Sequence, residues 1–271
     1  MRTKLTLLLL IGINLLLNSG CEKVVVKSEL NLRNDKYYTV NSNTPYTGRI
    51  VSYHENGQLS ESGNYIDGII EGSFVTYYEN GQIRLSQSYK DGKPDGLKEQ
   101  YHGNGQLMSS TNFKDGNMDG LSEGYYENGQ ISSSVHYIDD KRVGLNEYYH
   151  ENGLLKYSGN HIDGKPVGLL EWYYENGQLE SSQNYKTGEL DGLSKFYYEN
   201  GQLKSSRNYK DGKEDGFTKK FYRNGKLNSL ESYKDGKLDG VTILNDDKNS
   251  VSILQSYTNG HLVSEKTVPY K

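Results

Sequence analysis

The chain has no alanine, one cysteine, one tryptophan and four prolines in 271 residues. Lacking the best helix former, the sequence is poorly suited to a helical architecture. With Cys21 as the only cysteine, no disulfide can form within the chain. Hydrophobic residues are scarce as well, at 33%, which is a thin supply for one large globular core. Positive charge is in deficit, 31 Lys and Arg against 35 Asp and Glu for a net charge of -4, so the basic stripe of a nucleic-acid binder is missing. What the chain has in quantity is tyrosine, 25 residues, and glycine, 31 residues, and this pairing of aromatic and turn residues points to strands.

Residues 1–21 read MRTKLTLLLLIGINLLLNSGC. Arg2 and Lys4 form a basic start, Leu5 to Leu17 an apolar run of signal-peptide length, and Ser19-Gly20-Cys21 a small-residue end. The run falls short of the roughly 20 apolar residues of a membrane-spanning helix and is interrupted by Asn14. Removing residues 1–20 would take away Arg2 and Lys4 and lower the net charge from -4 to about -6.

From residue 45 onward one period governs the sequence. Asn-Gly recurs every 24 residues from 56–57 to 224–225, and a second glycine keeps the same beat from Gly48 to Gly240. Asp-Gly falls between them, as at 91–92, 163–164 and 211–212. Such self-similarity is the mark of a repeat array, in which each unit is too small to bury a face alone and must stack on its neighbours. Asn-Gly between strand-like runs predicts a type I′ hairpin, because that turn needs positive φ at both central residues. In YYENGQLKSSRNYKDGKEDG (197–216) this makes Leu193–Tyr198 and Leu203–Tyr209 antiparallel strands around Asn200-Gly201, and Lys210–Lys213 turns the chain back. A two-residue loop would set Tyr198 opposite Leu203, and Tyr197 opposite Lys204. The expected fold is all-β: an elongated, twisted, single-layer antiparallel sheet of hairpins with a 24-residue period. Residues 21–44 form a linker and starting hairpin around Arg33-Asn34-Asp35, residues 45–262 hold eight to nine repeats, and residues 263–271 are a polar tail.

The unit YYENGQLKSSRNYKDGKEDG and its beat resemble the variant MORN repeat of bacteria over roughly residues 45–262, and such proteins include YwqK-type antitoxins. The resemblance implies a β-hairpin solenoid with a binding role and brings no catalytic residues. Residues 1–21 resemble a bacterial lipoprotein signal, although Asn18 stands where Leu is usual. That implies lipidation at Cys21 and a place in the cell envelope. Glu22 is not the Asp that commonly signals inner-membrane retention, which favours the outer membrane.

Catalytic chemistry finds no constellation. His54, His102 and His150 share one repeat position, but alternate repeats lie about 19 Å apart, far beyond the reach of a shared metal, so these histidines read as members of an aromatic ladder. Asp211, Asp215 and Gly216 fit part of a calcium loop, but Lys213 and Tyr222 occupy ligand positions. No Gly-Lys is followed by Ser or Thr, and kinase motifs are absent. Neither a metal nor a cofactor is expected. Trp172, beside Tyr173 and Tyr174, together with Tyr197 and Tyr198, marks the candidate binding surface, since tyrosine and tryptophan are enriched at interfaces. The expected function is a non-enzymatic, lipid-anchored scaffold that binds another protein or an envelope polymer. The alternative is an antitoxin or immunity protein.

Overall fold

In a computed structural model, which describes residues 23–246 and 250–269, the chain forms one open sheet of sequential hairpins. Cys21 lies outside the described residues. From Gly48–Tyr53 to His261–Pro269, the main strands pair antiparallel with those before and after them in the chain. At the N-terminal edge Val24–Val26 lies parallel to Arg49–Val51, a strand addition that the sequence did not suggest. The starting hairpin is present, with Leu30–Arg33 against Lys36–Thr39. Beside it sits a compact apolar cluster, Tyr46, Ile50 and Tyr65, with Val25, Leu30, Tyr37 and Ile70 packed around it.

The turns differ from expectation in a consistent way. At Asn200-Gly201, Tyr198 N–H donates to the Gln202 carbonyl and Gly201 N–H to the Tyr198 carbonyl, both at 2.8 Å. The loop is therefore three residues, Glu199 to Gly201, and only Gly201 takes positive φ, at 81°. That is a type I turn closed by a glycine bulge, not a type I′ turn. The two-residue type I′ geometry appears instead at the Asp-Gly turns, where Asp211 has φ 46° and Gly212 φ 78°. The longer Asn-Gly loop shifts the register: Tyr197 faces Leu203, Phe196 faces Ser205, and Lys204 is the extra residue of a bulge. Tyr198 consequently leaves the ladder and stands at the hairpin end.

Its new place shows why Asn and Tyr recur there. Asn176 accepts from Gln178 N–H within its own turn at 2.9 Å, and its amide donates at 3.0 Å to the carbonyl of Glu199 in the next repeat. The Tyr174 hydroxyl donates to the Tyr197 carbonyl at 2.7 Å, again into the next repeat. In alternate repeats histidine does the same work: Nε2 of His54, His102 and His150 lies 3.0, 3.2 and 2.8 Å from the carbonyls of Tyr77, Tyr125 and Tyr173. A carbonyl can only accept, so each Nε2 carries a proton. On the opposite edge Gly212 N–H reaches back to the Leu190 carbonyl at 2.9 Å, and Asp115 N–H to the Asp95 carboxylate at 3.1 Å. Asp215, considered above as a calcium ligand, holds the Asp235 N–H in the same way at 3.4 Å.

The two faces of the sheet are unequal. In most repeats the same position is packed away, as at Ile50, Asn146, Leu170, Ser194, Thr218 and Thr242, while Phe74, Lys98 and Ser122 are half-buried there. The preceding residue points to solvent, leaving Leu145, Leu169, Leu193, Phe217 and Val241 in an exposed row. Stability therefore comes from neighbour-to-neighbour contacts on one face and from the edge bonds, without a central core.

Candidate functional site

The packed face opens into a groove at mid-array. Three consecutive strands, Lys141–Tyr149, Leu155–Ile162 and Lys165–Tyr173, place Tyr148, Tyr157 and Trp172 directly opposite one another. Their rings follow at centroid distances of 5.6 and 5.2 Å, each pair inclined by 58°. Such tilted contacts contribute about 0.5–1.5 kcal/mol per pair beyond burial and leave ring faces on view. Gly159 makes the close packing possible, since a Cβ there would lie 2.5 Å from the Tyr157 hydroxyl oxygen. The groove has a volume of about 550 Å³, and Tyr126, Ser133, Arg142 and Lys156 contribute to its wall.

Its electrostatics are one-sided. The Arg142 guanidinium lies 5.9 Å from the Tyr148 ring centroid, and the lining contains two cations but no carboxylate. Among the described residues neither Arg142 nor Lys156 has an acidic partner within salt-bridge distance, although acidic residues outnumber basic ones in the chain. Burial raises the Tyr157 phenol to about 12 despite the opposing charge of Arg142, so its hydroxyl stays protonated. A hydrogen bond to Tyr137 raises Arg142 further.

Beneath the aromatic row lies a polar pair. Asn146 is fully buried, and its amide donates to His161 Nδ1 at 2.8 Å while its oxygen accepts from His136 N–H at 3.3 Å. His161 is thus a neutral imidazole with its proton on Nε2. Burial, reinforced by the charge of Arg142, holds its pKa below the ordinary value. No group of three or more His, Cys, Asp or Glu residues gathers for a metal among the described residues.

The five residues singled out in the sequence do not form one surface. Trp172 enters the groove. Tyr173 projects to the other face, where its hydroxyl donates to Glu171 at 2.9 Å, and Tyr197 follows the same register. Tyr174 and Tyr198 stand at hairpin ends and spend their hydroxyls on the next repeat. Tyr198 also lines a smaller groove of about 300 Å³, with Lys204 and Arg223 at 5.8 and 5.3 Å from its ring. Sequence reasoning missed Arg142, Tyr148, Lys156 and Tyr157. The available signal was positional: Tyr157 stands where Ser133, Ser181 and Ser205 stand in other repeats, and Arg142 where Pro94 and Pro166 stand.

Comparison with known sequences matches the MORN repeat variant to residues 46–67, 70–91, 94–115, 118–139, 166–187, 190–211 and 214–235, together more than half of the chain. The chain belongs to the MORN repeat variant family. Residues 142–163 keep the period of a MORN repeat but lie outside the matched segments, and they supply Arg142, Asn146, Tyr148, Lys156, Tyr157 and His161. The groove is thus built largely by a unit that lies outside the matched segments. No curated protein matches this MORN chain. Similar solved structures include TcdB2-TccC3 at 10% identity and the Tc holotoxin pore of Photorhabdus luminescens at 12%, each covering 89% of this chain with a TM-score of 0.21. The chain spans only 17% and 16% of those chains, and likeness at this level says nothing about function.

Proposed function

We propose that this MORN repeat protein is a non-enzymatic, lipid-anchored component of the cell envelope whose sheet binds another macromolecule. The observation that carries the binding reading is the Trp172 groove: stacking asks for similar side chains at one position along the array, and here two adjacent units put a row of aromatic rings beside two cations that have no acidic partner among the described residues. Aromatic residues and arginine at a concave site are the usual anchors of recognition. The anchoring reading rests on the Cys21 segment and its resemblance to a lipoprotein signal.

The test is affinity capture from membrane fractions with the wild type, Cys21→Ser and Trp172→Ala, beside intact mass measurement. A lipid mass increment lost in Cys21→Ser, and a partner retained by wild type but lost in Trp172→Ala, are expected. An unlipidated, soluble wild type would refute the anchor, and capture indifferent to Trp172 would refute the groove as the binding site. A captured toxin would recast the binding as neutralisation.

A further inference from the structure

We infer that the Trp172 groove binds an acidic saccharide, a pyranose unit that carries a carboxylate. The inference rests on the binding reading above and supplies the ligand class. The position of the groove excludes recognition by strand addition. Strands Lys141–Tyr149, Leu155–Ile162 and Lys165–Tyr173 are each paired on both sides, so they have no free edge to offer a peptide backbone. Whatever binds must be read by side chains.

Those side chains suit a sugar. A pyranose presents a face of weakly positive C–H groups, which lies flat on the negative face of an aromatic ring. The Tyr148, Tyr157 and Trp172 rings are inclined to one another and so offer platforms at different angles along a curved path. Around them Ser132, Ser133 and the tyrosine hydroxyls provide donors and acceptors for ring hydroxyls. At the groove wall Arg142 and Lys156 have no acidic partner within salt-bridge distance among the described residues, and a carboxylate would complete them: the guanidinium fork can donate to both oxygens while it stays beside the Tyr148 ring. The volume of about 550 Å³ leaves room for more than one sugar ring. All of this concentrates in and beside residues 142–163, a unit outside the matched family segments.

Trp172 is the only tryptophan of the chain, so its fluorescence reports on this groove without labelling. The experiment is titration of the full protein with trigalacturonate, maltotriose and hexaglutamate. A saturable change in emission with trigalacturonate but not with maltotriose is expected. Arg142→Gln and Lys156→Gln, both at exposed positions, should each weaken it about tenfold, the cost of losing a charge-assisted hydrogen bond. Lys234→Gln, an exposed cation outside the groove, should leave it unchanged. No saturable response, equal binding of maltotriose or hexaglutamate, or full affinity in Arg142→Gln would overturn the assignment. If trigalacturonate fails while membrane capture still depends on Trp172, the ligand class is wrong and the binding reading stands. If both fail, the binding reading falls too.

Discussion

The edge bonds that join successive repeats make a quantitative claim about Tyr78. Its hydroxyl donates at 2.6 Å to the Tyr101 carbonyl in the next repeat, while Asn80 makes a longer bond at 3.3 Å to Gly103. Tyr78→Phe keeps the ring and deletes the donor. The loss is about 1 kcal/mol for the bond, rising toward about 2 kcal/mol if the Tyr101 carbonyl stays dry. For an array of this size that lowers Tm by about 2–4 °C per kcal/mol. Tyr78→His is the discriminating variant, because His54, His102 and His150 already donate from Nε2 at this position. It should keep most of the stability that Tyr78→Phe loses. Tyr222→Phe, which deletes a 2.6 Å bond to the Asn245 carbonyl at the far end of the array, should add to Tyr78→Phe without coupling. Urea unfolding followed by circular dichroism, with the denaturant slope checked for unchanged cooperativity, measures the wild type, the three single variants and the Tyr78→Phe/Tyr222→Phe double variant. If Tyr78→His loses as much as Tyr78→Phe, the residue acts by ring packing and the donor ladder is wrong.

Three further outcomes follow from particular side chains. His161 has a lowered folded pKa, so its contribution to stability is complete above the unfolded value near 6.5 and drains away as pH falls from there through the folded value. Asn146→Ser with His161→Tyr restores the residues of Ser194 and Tyr209 and should remove that part of the acid sensitivity; unchanged pH dependence of the urea midpoint would contradict it. Thr218 is 1% exposed and its hydroxyl has no partner among the described residues, so isosteric Thr218→Val should gain about 1 kcal/mol, and a loss in calorimetry would show that the hydroxyl is satisfied after all. Asn200 bonds to its own Gln202 at 3.4 Å instead of to the next repeat, unlike Asn152 and Asn176. It should therefore deamidate first, by attack of the Gly201 nitrogen on Cγ with loss of ammonia and opening of the ring by water; peptide mapping that finds Asn152 or Asn176 ahead of it would dismiss the reasoning.

Much of the architecture was legible because the period, the glycines and the turn residues are local signals. The family, the all-β fold and the sequential hairpins all follow from them. Turn type was not legible. Asn-Gly satisfies both a type I′ turn and a three-residue loop ending in glycine, and in the three-residue loop the Asn side chain accepts from the N–H two residues on, as Asn200 does from Gln202 at 3.1 Å. That one-residue difference moved Tyr198 from a face to an edge and put Leu203 opposite Tyr197. At the groove, Trp172 was visible as an exception in composition. Tyr148 and Tyr157 were hidden among 25 tyrosines, since only strand register tells which of two adjacent tyrosines faces inward. Arg142 and Lys156 were hidden for a related reason: cations on strands are ordinary until the absence of a nearby carboxylate is seen.

The strands lie across the long axis of the sheet, and this orientation decides how the molecule carries a load. Tension applied between the two ends of the array pulls neighbouring strands apart in the direction of their hydrogen bonds, so the bonds of one pair break in succession and never all at once in shear. Each 24-residue unit that opens pays out about 80 Å of chain while the rest of the sheet stays folded. Such a ribbon yields at low force and in even steps, as an extensible tether does.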